Sequence, residues 1–341
     1  MKIHSKAPFR LGLAGGGTDV SPYSDKFGGA VLNATVDLFA HTTIIPRTDG
    51  KILIKANNLD KAIELDAALT LEINGELDLQ KGVYNRITRE FTNSPLSFEL
   101  ITEMDVPSGS GLGTSSTVVV SILGAFVEWL KLPLNSYEIA QLAFSIERED
   151  LKMAGGKQDQ YAATFGGINF IEFGSNSVQV NPLSINTTAK NKLENNLLLY
   201  YTQTSRQSSK IIELQADNVI RKVEKPINAM HFLKKQAFIM KDALIAGDLN
   251  EIGKVLDKSW QQKKLMADGI SNSLIDEIYT SVMNAGAGGG KISGAGGGGF
   301  MIFYVDDSAK KAVLQALKAF KGTVKSFKFS PKGLITWTTD E

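Results

Sequence analysis

Hydrophobic positions change their spacing several times along this chain, and each change predicts an element. Short or alternating apolar runs at residues 9–14, 40–46, 51–56 and 97–102 read as strands. Val83, Ile87 and Phe91 recur every four positions, which predicts a helix within residues 70–94 after a polar turn. From Thr114 to about Leu130 the chain is apolar nearly all round, so a buried helix is expected there, with Thr114 or Ser115 as its cap. A further helix should run from about Ser136 to Met153 and stop before Gly155-Gly156, with a strand following at 167–173.

The polar stretch 184–196 is the expected boundary between two units, residues 1–190 and 191–341. Beyond it come a strand at 197–202 and helices at about 206–223, 226–246, 248–264 and 272–285. A strand at 300–305, a helix at 308–320 and strands near 323–330 and 333–338 close the chain. Strand, helices, strands, helix and strand make a split βαβ pattern, so the second unit reads as a ferredoxin-like α+β domain.

Composition narrows the function. The 37 basic and 36 acidic side chains leave a net charge of +1, which argues against general nucleic-acid binding through a basic surface. There is no cysteine, so disulfides, thiolate catalysis and cysteine-ligated zinc are excluded. His4, His41 and His231 are scattered, which disfavours a histidine metal site. The N-terminus lacks the apolar stretch of a signal peptide and no segment has the length of a membrane span, so a cytoplasmic enzyme without a membrane partner is expected.

Glycine is the outlier: many of the 32 fall in clusters at 12–17, 109–113 and 286–299, each beside an apolar run. The sequence PSGSGLGTSS leads straight into a helix: Pro107, Ser108, Gly109, Ser110, Gly111, Leu112, Gly113, Thr114, Ser115 and Ser116. Glycines let backbone N–H groups converge on phosphate, and a helix N-terminus adds unpaired donors and partial positive charge. A lone G-x-G would be a plain capped turn; three alternate glycines followed by three hydroxyls favour a triphosphate. No Walker loop is present, nor the protein-kinase motif set. A formal G-x-G-x-x-G at Gly294, Gly296 and Gly299 leads into a strand, so it fails the dinucleotide-binding test.

Three motifs in order, APFRLGLAGGGTD at 7–19, PSGSGLGTSS at 107–116 and KISGAGGGGF at 291–300, resemble those of the GHMP kinases. The superfamily is named for galactokinase, homoserine kinase, mevalonate kinase and phosphomevalonate kinase. The resemblance spans nearly the whole chain and implies a two-domain α+β fold. Its N-terminal domain would be ribosomal-protein-like with a left-handed βαβ unit, its C-terminal domain ferredoxin-like. It implies ATP and Mg2+ as cofactors and a small-molecule substrate.

Site roles follow from the same resemblance. Glu147, before Arg148, matches the metal-binding glutamate, with Ser115 as its hydroxyl partner; Glu149 and Asp150 read as a solvated helix end. Asp159 matches the catalytic aspartate at the acceptor hydroxyl, and Arg10 would stabilise charge on Asp159 or on the phosphoryl group. Gly16, Gly17, Thr18, Asp19, Gly294, Ala295, Gly296 and Gly297 are the implied substrate contacts, with Lys157 a weaker phosphate candidate. The carboxylate after the first glycines favours a polyol over an apolar isoprenoid. GGGTDVSPYSDKFGG, GGKQDQYAATFGG and YTQTSRQSS are similar to the branch that phosphorylates the anomeric hydroxyl of a heptose 7-phosphate, a sugar phosphate whose distal group Arg206 or Lys210 could contact. Fucokinase- or galactokinase-like enzymes, a diphosphate decarboxylase and a non-catalytic sugar sensor are the alternatives.

Overall fold

The computed structural model describes residues 1–204 and 208–340. Strands β1 (Lys2–Ala14), β2 (Gly29–Pro46), β3 (Lys51–Ala56), β4 (Lys61–Asp66), β5 (Phe98–Met104), β6 (Ile168–Phe173) and β7 (Val178–Pro182) occupy the first half. Helices α1 (Tyr23–Phe27), α2 (Asp78–Ile87), α3 (Thr114–Leu130), α4 (Ser136–Ser145) and α5 (Gln158–Phe165) lie among them. The second half holds α6 (Thr187–Asn196), β8 (Leu197–Tyr201), α7 (Ser208–Ile220), α8 (Glu224–Ala246), α9 (Leu249–Lys263), α10 (Ser273–Asn284), β9 (Gly289–Ile292), β10 (Phe300–Tyr304), α11 (Asp307–Leu317), β11 (Thr323–Lys325) and β12 (Ile335–Thr339).

Two sheets organise these elements. The first runs β12-β1-β2-β5-β3-β4, with β6 on β2 and β7 on β6. The long strand β2 joins its parts: residues 40–46 pair with β5 while 29–34 pair with β6. Helix α3 packs on β1 and β2 and buries Val119, Val120, Ile122, Leu123 and Phe126. The second sheet is antiparallel in the order β11-β8-β10-β9, the 4-1-3-2 order of the ferredoxin-like fold.

Several boundaries differ from expectation for identifiable reasons. Neither Thr114 nor Ser115 caps α3: Gly113 does, at φ +78°, with no side-chain hydrogen bond. The helix expected from Ser136 is capped by Asn135 in a capping box with Glu138. It changes to a π-turn over Ile146–Asp150, a local widening common at functional sites. The polar stretch 184–196 is largely helix α6, because Ala189 and Leu193, four apart, are buried under it. β9 carried no apolar run to announce it, since half of it is glycine. The last strand does not stay in the second unit. β12 returns to pair with β1, Lys2 opposite Thr339, so a cut at 190/191 separates an edge strand from its sheet.

Candidate active site

Backbone irregularity places the first functional side chain. β1 and β2 slip register between Pro8 and Arg10 and again between Gly12 and Ala14, the kind of bulge that re-aims a side chain beside a site. Arg10, only 4% exposed, donates from Nε to Asp159 Oδ1 at 2.6 Å and from Nη1 to the Gly111 carbonyl at 2.7 Å and Ser293 Oγ at 3.3 Å. One guanidinium therefore ties together β1, the loop before α3, the start of α5 and the glycine turn after β9. A planar fork with five donors suits this, where a lysine would not reach three acceptors.

The two central glycine segments pack back to back, which is why they are glycine. A Cβ on Gly111 would lie 2.6 Å from the Ser293 carbonyl oxygen, and one on Gly294 2.8 Å from that of Gly111. Phe300 N donates to the Ser110 carbonyl at 2.8 Å, so the second sheet is fastened to the loop directly. Gly113 has a different task. Its missing Cβ would sit 2.9 Å from Asp159 Cγ, so α3 can begin against the aspartate.

A cleft of about 180 Å³ opens over this junction. Arg10, Gly16, Gly17, Asp19, Gly109, Gly111, Gly113, Thr114, Ser115, Ser116, Glu147, Asp159, Gly294 and Ala295 all reach it, which brings together most of the expected residues. Thr114, Ser115 and Met153 also border an adjoining cavity of about 380 Å³ with apolar walls, among them Leu59, Ile73, Leu77 and Val118.

Glu147 sits on the π-turn, 1% exposed, with Gln160 donating to its Oε2; Oε1 accepts no hydrogen bond and lies 3.8 Å from Arg148 Nη2. Burial pushes its pKa up; the neighbouring Arg148 guanidinium and hydrogen bonds from Ser116 and Gln160 work against that. A buried carboxylate with one oxygen that accepts no hydrogen bond, beside a glycine loop at a helix N-terminus, is suited to a cation. No cluster of three or more histidine, acidic or cysteine side chains exists among the described residues. That donor set fits Mg2+, which takes one or two carboxylates and completes its shell with phosphate and water. Glu147 Oε1 and the Ser115 hydroxyl are the groups that would hold it, with Ser116 and Gln160 orienting the carboxylate.

Several expected contacts lie elsewhere. Thr18 is fully buried and its hydroxyl is consumed: it donates to the Gly15 and Ala30 carbonyls and accepts from Ala30 N. It shapes the glycine turn and is not available to a substrate. Lys157 points away from the cleft to Asp25, 3.0 Å from its Oδ1. Gly296 and Gly297 pack on the segment at Ile270, where Gly297 N donates to the Ile270 carbonyl, so of the four expected contacts in that motif Gly294 and Ala295 face the cleft and these two do not. Leu112 belongs to the core, and Ser110 is fully buried with an unpartnered hydroxyl; both serve through their backbone carbonyls. Arg206 lies outside the described residues.

Asp19 keeps its place, though its carboxylate is already engaged. Gly17 N and Gln158 Nε2 donate to Oδ1 at 3.1 and 3.0 Å, and Gln158 N donates to Oδ2 at 3.1 Å. It holds the first turn of α5, and with it the residue before Asp159, while still lining the cleft. Two cations escaped the sequence reading. Lys263 ends α9 and Lys291 lies in β9, each 3% exposed and each lining the cleft. Lys291 Nζ donates to the Gly12 carbonyl. Burial lowers Lys263 to about 8, with Asp19 opposing and Arg10 reinforcing the shift. Lys291 is pushed well below the ordinary lysine value by burial, then by Lys263 and Arg10. The available signal for Lys291 was its place at the head of the third glycine motif, 291–300; Lys263 gave none.

An aspartate fixed by an arginine, a glycine loop opening a helix and a buried glutamate are the arrangement a small-molecule phosphotransferase needs. Family comparison agrees: residues 78–167 match the GHMP kinase N-terminal domain and residues 240–322 the GHMP kinase C-terminal domain. Over 98% of both chains the sequence is 47% identical to the D-glycero-alpha-D-manno-heptose 7-phosphate kinase of Campylobacter jejuni. The crystal structure of a D-glycero-D-manno-heptose 1-phosphate kinase from Bacteroides thetaiotaomicron superposes with TM-score 0.84 at 43% identity, covering 99% of this chain and 100% of that one. Galactokinase of Lactococcus lactis shares the fold at 19% identity and TM-score 0.78, over 98% of this chain and 95% of its own. The chain belongs to the GHMP kinases and is an ATP-dependent sugar kinase.

Proposed function

We propose that this kinase transfers the γ-phosphoryl group of ATP to the anomeric hydroxyl of D-glycero-D-manno-heptose 7-phosphate, giving the 1,7-bisphosphate, and so supplies heptose for bacterial surface polysaccharide. The observation that carries the reading is the Arg10–Asp159 pair between the glycine cradle and a polar, cation-lined end of the cleft. The 47% identical relative supports the choice of sugar.

In this reading the apolar cavity beside Thr114 and Ser115 takes the adenine base. The N–H groups of residues 109–116 and the N-terminus of α3 take the phosphates. Mg2+, when bound, neutralises phosphate charge at Glu147 and Ser115. Asp159 accepts the hydrogen bond of the acceptor hydroxyl and receives its proton as the O–P bond forms. Arg10 fixes Asp159 by its Oδ1, holding Oδ2 for that hydroxyl, and its charge opposes the negative charge gathering on the transferred group. Little else is asked of the protein, since phosphoryl transfer rests on positioning and electrostatics.

The two relatives' names differ in where the first phosphate stands, so the deciding assay supplies heptose 7-phosphate and heptose 1-phosphate separately, with galactose and fucose as controls. ADP release with the 7-phosphate, and a new anomeric phosphate in 31P spectra, is the expected result. Turnover of only the 1-phosphate, or of galactose or fucose equally well, overturns the assignment.

A further inference from the structure

Lys263 is an anomaly that the phosphotransfer site does not need. Its residue is 3% exposed, and among the described residues its ammonium has no hydrogen bond or ion pair. A buried unpaired charge is costly, and proteins keep one where something outside the chain completes it. Asp19 is near enough to act on it electrostatically but is engaged with Gly17 and Gln158.

The surroundings point to an anion. Ser208, Ile212 and Gln215 lie along one face of α7, four and three residues apart, and all three line the cleft together with Lys263. Gln215 is 1% exposed and its Nε2 donor has no partner. Ser208 opens α7, a helix of 13 residues whose N-terminal N–H groups and dipole favour negative charge. An ammonium, an amide N–H and a helix N-terminus thus converge on one end of the cleft.

That end is not the nucleotide's. Asp159 meets Gly113 of the phosphate loop on one side. On the other, Gln158 reaches Asp19 and borders Gly16, and Gly16 in turn borders Lys263, a Cβ there standing 3.8 Å from Nζ. A substrate whose hydroxyl meets Asp159 therefore points its far end at Lys263. We infer that Lys263 and Gln215, with the first turn of α7, bind the phosphate monoester at the end of the sugar remote from the reacting hydroxyl. This rests on the substrate being a sugar phosphate, and it assigns the residues that select such a sugar over its neutral counterpart. A phosphate dianion would also restore the ammonium that burial disfavours.

The test compares wild type, Lys263→Met and Gln215→Leu on heptose 7-phosphate and on the unphosphorylated heptose at saturating Mg-ATP. Lys263→Met should raise KM for the phosphorylated sugar at least tenfold, with kcat and the KM of the neutral sugar changing less than threefold. Gln215→Leu should move the same parameter in the same direction by a smaller factor. Calorimetry supplies a readout without turnover: inorganic phosphate, titrated into enzyme holding Mg2+ and a non-hydrolysable ATP analogue, should bind wild type at least tenfold tighter than Lys263→Met. Equal loss on both sugars, or phosphate binding indifferent to Lys263, overturns the inference alone. Wild type that prefers the neutral sugar overturns the substrate reading and the inference with it.

Discussion

The two ends of the cleft are built from different materials. At the end proposed for the nucleotide the donors on offer are backbone N–H groups of one continuous stretch, and the side chains serve mainly by being absent, as at Gly111 and Gly113. At the opposite end Asp19, Gln215, Lys263 and Lys291 come from four places in the chain and act through their side chains. A backbone cradle must be contiguous, because neighbouring N–H groups have to point inward together. Side-chain recognition has no such constraint. The first kind of site is general for any nucleoside triphosphate; the second is where a choice among sugars can be made.

If the nucleotide end and Asp159 carry the chemistry, damage there should appear in kcat. The largest effect belongs to Asp159→Asn, which keeps shape but removes the acceptor for the hydroxyl proton. Turnover should fall by about 10²–10⁴-fold, while ATP affinity measured by calorimetry stays within a few-fold. Unchanged turnover would remove Asp159 from the mechanism. Glu147→Gln should raise the Mg2+ concentration for half-maximal rate by about 10–100-fold, on the scale of weakened metal sites elsewhere. An unaltered Mg2+ dependence would leave Glu147 a structural carboxylate only.

A smaller change probes the boundary between the ends. Gly113→Ala introduces a methyl at φ +78°, costing about 1–2 kcal/mol of backbone strain, and forces Asp159 to move because the new Cβ falls 2.9 Å from Cγ. A displacement of that order should lower kcat by about 10²-fold or less, with a melting temperature only a few degrees lower. A fall in stability without a fall in kcat would show that Asp159 tolerates the shift.

Sequence legibility divides along the same line. Helix α3 and the glycine loop before it were readable because they rest on local periodicity and a contiguous motif, and the motifs that carry Asp159 and Glu147 do reach one cleft. The second sheet was readable as a fold class but not strand by strand, since β9 is half glycine. Thr18 and Lys157 lie in motifs whose other members reach the cleft, but a shared motif does not say which way each side chain turns. Thr18 instead turns inward to Ala30, and Lys157 outward to Asp25. Lys263 was invisible for a physical reason: a lysine closing an amphipathic helix is what the helix dipole favours on any surface, so nothing in α9 says that this one is buried. Likewise the return of β12 to β1 rests on pairing across some 330 residues, which no local pattern encodes.

The smallest effect is also the one that separates the two ends without any substrate. An unfolded lysine keeps its proton to about pH 10.4, whereas folded Lys263 loses it at about 8. Below pH 8 both states are charged and the burial penalty is constant. Between about 8 and 10 the unfolded chain binds more protons, so stability rises with pH, by up to about 1.4 kcal/mol per unit for each such lysine. Lys291 on β9 has the same sign, Asp19 opposes the shift of Lys263, and Arg10 on β1 reinforces it. Tyr23 and Tyr161, raised by burial to about 12, act in the opposite direction only above about pH 10, which bounds the window. Urea unfolding of the free enzyme should therefore show stability climbing from pH 8 to 9.5, less steeply in Lys263→Met by up to one proton's worth. Saturating phosphorylated sugar should flatten the wild-type slope too, since an anion beside Lys263 holds its proton on. The Asp159→Asn enzyme, altered only at the other side of Gln158, should keep the wild-type slope; if it loses it, the two ends are one electrostatic unit and the division drawn between them fails.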